Sequence, residues 1–258
     1  MSEETRPLLI ALHGWGARGC FFDDLARRLT EICDVVAPDF VGHGTQKQIE
    51  VVELSMLADQ INELTVQYQR RRIFLLGWSM GAAAAFSYLE KFGSEQIAGL
   101  LIEDMAPKPL NDEDWDLGIA SGYRAEDVEV TLGHIRSGWQ RYGRRVWCAT
   151  FATPQIARKF EDDVLFETFL DNRERPMASA WQSLMALDAR SLIRNLDCPV
   201  LALMGANSHV YKPELADWYE HMLKNGSVHR IKGAGHAPHL EQPEIFADLV
   251  TSFIQKHC

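Results

Sequence analysis

The chain has 258 residues, 47% of them hydrophobic, and a formal net charge of −10 at pH 7. That length suits a single domain with a sizeable core, and the acidic balance excludes a general binder of nucleic acid or of anionic membranes. Five scattered cysteines with no C-x-x-C pair indicate neither a disulfide framework nor a zinc site; with no apolar signal core in Met1 to Pro7 and no membrane-length apolar run, the expectation is a soluble protein of the reducing cytoplasm.

In chain order, Leu8 to Leu12 reads as a strand, Phe21 to Glu31 as a helix, Val35 to Ala37 as a short strand and Ser55 to Arg72 as a long helix. The run Ile73-Phe74-Leu75-Leu76 is continuously apolar, as in a buried strand. It leads into Gly77-Trp78-Ser79-Met80-Gly81 and then into an alanine-rich, helix-favouring stretch from Ala82 to Glu90. A G-x-S-x-G between strand and helix is a nucleophile elbow. Its glycines permit close backbone approach, and the helix that follows aims free N–H groups and a positive dipole end at any nearby oxyanion. Further strands are expected over Ile97 to Ile102, Val200 to Met204 and Val228 to Ile231, with helices over Pro213 to Leu223 and Pro243 to Gln255. Strands alternating with helices predict an α/β fold, a mainly parallel, doubly wound sheet.

Residues 107–188 break this alternation, being rich in helix formers, acids and aromatics. They predict a helical cap inserted into a core made of 1–106 and 189–258. Four of the seven tryptophans fall there: Trp115, Trp139, Trp147 and Trp181. Trp139, Trp147 and Trp181, with Trp78 in the bend, are candidates for an apolar substrate wall as well as for plain core.

A serine hydroxyl needs a base to become a nucleophile. Of nine histidines, His236 sits in Gly233-Ala234-Gly235-His236-Ala237-Pro238, between the last strand and the last helix, at the same sheet edge as Ser79. His239 reads instead as a loop histidine near the pocket mouth, while His13 and His43 read as loop-holding residues. The base needs an orienting acid. The loop after Val200 to Met204 runs Gly205-Ala206-Asn207-Ser208-His209 and holds no carboxylate. The strand ending at Ile102 is followed by Glu103-Asp104, whose side chains point to opposite faces; Asp104, at the very tip, is the chosen acid and Glu103 the alternative. For the oxyanion, the expected donors are the backbone N–H groups of Met80 and of Trp15, the latter in His13-Gly14-Trp15-Gly16.

Together, Leu12-His13-Gly14-Trp15-Gly16, Asp39-Phe40-Val41-Gly42-His43-Gly44, Gly77-Trp78-Ser79-Met80-Gly81, Cys198-Pro199-Val200-Leu201 and Gly235-His236 followed by Glu241-Gln242-Pro243-Glu244 resemble the α/β-hydrolase superfamily over nearly all of the chain except the cap. HGWG, GWSMG and GHAP are similar to the pimeloyl-carrier-protein methyl ester esterases, to small bacterial esterases and to cofactor-free haloperoxidase relatives. The resemblance implies the α/β-hydrolase fold with a serine carboxylesterase activity. Two departures stand out. Ser208 holds the place where most relatives carry the acid, which favours Asp104, and only about seven residues precede the first strand, so a leading β-hairpin is expected to be missing.

The expected function is a serine hydrolase cleaving esters of hydrophobic acids through an acyl-enzyme, without metal or organic cofactor. Alternatives are a receptor-like relative with little turnover, and a perhydrolase or a carbon–carbon bond hydrolase on the same scaffold. The partner is a small-molecule ester. An acyl-carrier protein is disfavoured by charge, since the cap carries Asp112-Glu113-Asp114 and Glu161-Asp162-Asp163.

Overall fold

Six strands assemble into one sheet in the order β2-β1-β3-β4-β5-β6, every pairing parallel. The computed structural model describes residues 6–161 and 163–258. The strands are β1 (Leu8–Leu12), β2 (Asp34–Val36), β3 (Ile73–Trp78), β4 (Gly99–Glu103), β5 (Val200–Gly205) and β6 (Gly226–Ile231). The four central ones are buried along their whole length, which is why they read as unbroken apolar runs rather than alternating ones. The edge strand β6 is mostly exposed and carries His229 and Arg230, the polar character that discourages pairing with another chain.

The core helices are α1 (Asp23–Arg28), α2 (Leu54–Gln67), α3 (Met80–Phe92), α10 (Glu214–Met222), α11 (Pro238–Glu241) and α12 (Pro243–Lys256). Parallel crossovers are right-handed, so the reversal of direction at β1 sends α1 to one face and α2 and α3 to the other. Helix α1 packs with α12, and α2 packs along α3. Two helices are shorter than the sequence suggests. The segment Phe21 to Glu31 splits into a 3-10 turn, Gly19–Phe22, followed by the six residues of α1. Helix α2 stops at Gln67 rather than Arg72, because Arg71 is recruited to the chain before β1: its guanidinium donates to the carbonyls of Arg6 and Pro7 and to Asp34.

Between β4 and β5 lie α4 (Ala125–Arg136), α5 (Trp139–Thr150), α6 (Pro154–Lys159), α7 (Val164–Leu170), α8 (Glu174–Met185) and α9 (Arg190–Asn195). Among the described residues this insertion contains no strand, only isolated bridges between Asp112 and Trp115 and between Ile119 and Tyr211. Helix α9, beyond residue 188, packs on α3. The segment before β1, where a leading hairpin was expected to be missing, falls largely outside the described residues, as does Asp162 of the second acidic run. No helix among the described residues is long and apolar enough to cross a membrane.

The sheet order changes direction between β1 and β3, the switch point where α/β sheets open a crevice at their carboxyl edge. Here the loop after β1 meets the bend after β3. The bend is possible only because its glycines lack side chains: a Cβ on Gly81 would lie 2.0 Å from the Leu12 carbonyl oxygen, and one on Gly77 2.4 Å from the backbone of Ala82. These obstacles are main chain, not yielding side-chain tips. Gly81→Ala is therefore expected to lose at least about 3 kcal/mol of stability, read as a lowered urea midpoint at unchanged slope; a midpoint within error of the parent's would contradict this packing.

Candidate active site

Five loops at the carboxyl ends of β1, β3, β4, β5 and β6 converge. Ser79 follows β3 with φ 53° and ψ −119°, a left-handed conformation that a non-glycine residue adopts at a cost of about 1–3 kcal/mol. Asp104 follows β4 and is likewise at positive φ, 41°. Both are held by one further rung of the parallel ladder: the Ser79 N–H donates to Glu103 O, and the Asp104 N–H to Leu203 O, each at 3.0 Å. His236 arrives from the loop after β6.

The side chains form a chain of hydrogen bonds. The Asp104 carboxylate is buried and accepts from His236 Nδ1 at 2.7 Å. That bond places the proton on Nδ1 and turns the Nε2 lone pair outward, where the Ser79 hydroxyl donates to it at 2.9 Å. Asp104 is satisfied on its other sides by the Gly205 N–H, 2.9 Å from Oδ1, and by the Ser208 hydroxyl, 2.7 Å from Oδ2. Thus the serine that stands at the late-strand acid position donates to the carboxylate offered by the neighbouring strand.

Glu103 and Asp104 point to opposite faces, and each takes a different histidine. Glu103 Oε1 accepts from the main-chain N–H of His239 at 2.9 Å and from its Nδ1 at 2.7 Å. His239 is buried against Phe22, Trp78 and Phe246; it does not lie at a pocket mouth. Being the first-turn residue of α11, it ties the base loop to β4. Among the described residues, Glu103 Oε2 and His239 Nε2 have no hydrogen-bond partner.

The Met80 N–H opens α3 and has no intrahelical acceptor, and the Trp15 N–H donates to no main-chain carbonyl among the described residues. The Trp15 loop is braced from below. His13 Nδ1 donates to Gly14 O at 2.9 Å, and His13 Nε2 accepts the Phe40 N–H at 3.0 Å. His43 lies beside it with its ring tilted 60° to that of His13, centroids 5.1 Å apart, and donates from Nδ1 to Val41 O at 3.2 Å.

Each candidate tryptophan has a distinct place. Trp78 lies under the site, packs against Gly14, and its indole N–H donates to the His236 carbonyl at 2.6 Å. Trp139 and Trp147 are enclosed, their indole N–H groups donating to Phe169 O and Ala157 O. Trp15 is bonded to Met177 O and lies between Trp139 and Trp181, ring centroids 4.9 and 4.6 Å away. Trp181 is the only half-buried member of the group, with its N–H on the Tyr123 hydroxyl. Among the described residues no cluster of three or more His, Cys, Asp or Glu side chains is grouped to hold a metal. Sequence reasoning passed over Glu241, whose two oxygens accept the N–H groups of Gly235 and Ala152. It was visible only as part of Glu241-Gln242-Pro243-Glu244, with nothing in the pattern to show what it spans.

Burial holds the imidazoles under the oxyanion loop neutral. It lowers His13 from 6.5 to about 4, and burial together with the neighbouring His13 lowers His43 to about 3. The unfolded chain takes up these protons below pH 6.5 while the folded one resists, so the stability they contribute is complete above that pH and is lost as the pH falls toward 4. Between pH 7.5 and 4.5 the free energy of urea unfolding is expected to fall, with His13 alone contributing roughly 3 kcal/mol across its full shift. A flat profile would contradict neutral, buried imidazoles.

The model of the alpha/beta hydrolase family matches residues 9–249. The pimeloyl-[acyl-carrier protein] methyl ester esterase of Neisseria meningitidis serogroup B is 28% identical over 249 residues, covering 95% of this chain and 91% of that protein. The protein of the same name from Chromobacterium violaceum is 22% identical, covering 96% and 94%. Among solved structures, an esterase from Exiguobacterium antarcticum superposes with TM-score 0.86 at 19% identity over 97% of this chain and 92% of that one. A bromoperoxidase from Bacillus anthracis does so with TM-score 0.88 at 17% identity over the same shares. At these identities the two structures speak to the fold.

Proposed function

The chain belongs to the alpha/beta hydrolase family, and from that premise we propose that it is a carboxylic ester hydrolase acting through Ser79, His236 and Asp104. The observation that carries the reading is the unbroken relay from Asp104 through His236 to the Ser79 hydroxyl, 2.7 and 2.9 Å long. His236 Nε2 takes the serine proton as Oγ attacks the ester carbonyl. Asp104 holds the tautomer that makes this possible and stabilises the imidazolium. The negative oxygen of the tetrahedral intermediate is met by the N–H groups of Met80 and Trp15, each worth about 3 kcal/mol when aimed at developing charge. His236 then returns the proton to the leaving alcohol, and water, deprotonated by the same nitrogen, releases the acid from the acyl-enzyme.

In this reading residues 107–188 act as a cap over the core, and Trp15 with Trp181 walls the acyl site. Trp139 and Trp147 stiffen that wall from behind, and Trp78 steadies the base loop. The hydrogen bond between Asp104 and His236 supports turnover over the receptor-like alternative, because it supplies an orienting acid where the late strand has none.

A second element of the proposal concerns delivery of the substrate. The named relatives act on a methyl ester borne by an acyl-carrier protein. Helix α5 exposes Arg141, Arg144 and Arg145, a basic face toward which an acidic carrier could be steered. The acidic runs are partly engaged internally: Asp112 pairs with Lys108, and Asp163 caps α7. With two of the six acids of these runs engaged, like charge weighs less against a carrier.

Ser79→Ala is expected to abolish release of p-nitrophenol from p-nitrophenyl acetate and butyrate, and Asp104→Asn to lower kcat by about 10⁴. A Ser79→Ala protein as active as the parent, measured at equal folded concentration, overturns the mechanism. Separately, the double variant Arg141→Glu, Arg145→Glu is expected to lower kcat/KM about tenfold or more for a carrier-bound methyl ester, with a weakened salt dependence. Its kcat/KM for p-nitrophenyl acetate should stay within twofold; equal losses on both substrates would refute carrier docking on this face.

A further inference from the structure

The loop that carries His236 is sewn to the last turn of α5. The His236 N–H donates to Thr150 O at 2.7 Å, and next to it the loop after β5 also reaches this segment, His209 Nε2 donating to Ala152 O at 3.1 Å. The approach is close: a Cβ on Gly235 would lie 2.4 Å from the Ala152 nitrogen. Between the two segments stands Glu241. One oxygen takes the Gly235 N–H at 2.7 Å, the other the Ala152 N–H at 2.8 Å. The residue on one side of this bridge precedes His236; the residue on the other follows the helical insertion's α5. At its opposite end α5 begins with Trp139, which packs edge-on against Trp15 of the oxyanion loop.

We infer that Glu241 is a positioning residue that couples the seating of α5 to the placement of His236, so that the imidazole meets Ser79 only when the insertion is docked on the core. The inference rests on the esterase reading and deepens it. A carboxylate is the side chain that suits the task, because it offers an acceptor to each of two converging N–H donors. Glutamine keeps one acceptor and turns an NH₂ group toward the second amide. Alanine leaves both amides unpaired in a half-buried seam. Misplacement of the base by even 1 Å is costly to chemistry and nearly neutral to ground-state binding of a small ester.

The test compares Glu241→Ala, Glu241→Gln and Ala152→Pro with the parent, competent sites being counted by titration of Ser79 with a fluorophosphonate. For p-nitrophenyl acetate, kcat per titrated site is expected to fall 10- to 100-fold in Glu241→Ala and about tenfold in Glu241→Gln, with KM within threefold. Ala152→Pro removes the insertion's N–H and sets a ring carbon against the Glu241 carboxylate, breaking the bridge from the α5 side while the sequence of the base loop is unchanged. It should lose at least as much as Glu241→Gln, and combining the two should add little further loss. The downfield proton resonance of His236 Nδ1–H on Asp104 should broaden or vanish in Glu241→Ala at neutral pH. That signal reads the geometry without turnover, so it decides the coupling even if the parent proves not to cleave esters, an outcome that would strike the esterase reading alone. Unchanged kcat per titrated site with the downfield resonance intact, whatever the change in melting temperature, overturns the inference. So does a kcat loss in Glu241→Ala that a folded Ala152→Pro protein does not share, since it would leave Glu241 acting on the base loop with no link to α5.

Discussion

The site depends on a stair of hydrogen bonds, each donated by a main-chain N–H, running sideways across the parallel sheet. Ser79 N–H is fixed to Glu103 O, Asp104 N–H to Leu203 O, and Gly205 N–H to the Asp104 carboxylate. The first two bonds extend the ladder one step past the ends of β3 and β4, where the chain is already turning away, and the third joins the end of β5 to the Asp104 side chain. Ser79 and Asp104 both sit at positive φ, a conformation that would relax if the residue were free. Neighbouring strands prevent that relaxation, so the register of β3, β4 and β5 fixes the spacing between the two groups. In the proposed mechanism, strain held in this way supplies pre-organisation, since neither side chain must reorganise when charge develops.

The imidazole is the one member of the relay not built on this stair. It is anchored instead by contacts from many directions: Trp78 on its carbonyl, Thr150 on its N–H, Asp104 on its ring, and Glu103 on the residue three positions later. Glu103, the last residue of β4, and Asp104 just past it therefore each hold the His236 loop, Asp104 by the His236 ring and Glu103 by the backbone and ring of His239. Alternation of side chains along a strand separates these duties and gives the two carboxylates different histidines.

The elements nearest the site were the most legible in the sequence. The apolar runs of β1, β3 and β5 are buried throughout, so their composition alone marked them, and the Gly77 to Gly81 bend follows from its glycines and its place between strand and helix. The choice between Glu103 and Asp104 could be framed from alternation, since strand geometry is local. What escaped was long-range. The ending of α2 at Gln67 depends on carbonyls some 65 positions away in the chain. The pairing of His239 with Glu103 spans 136 positions, and no periodicity reports it. The tryptophans advertised an aromatic wall, but whether an indole faces a ligand or another ring is decided by packing between helices whose order in space the sequence does not encode.

The hydroxyl of Ser208 reaches the same carboxylate oxygen that the imidazole uses. The tips of β4 and β5 are thus two addresses from which one histidine can be served. A charge could pass from one to the other over evolutionary time while serine and imidazole stayed in place. The intermediate ancestor would have carried both carboxylates, sharing a proton between them because two adjacent anions repel. Loss of either acid would then have been tolerated, and lineages could have settled on opposite sides of the same imidazole without a silent period between them.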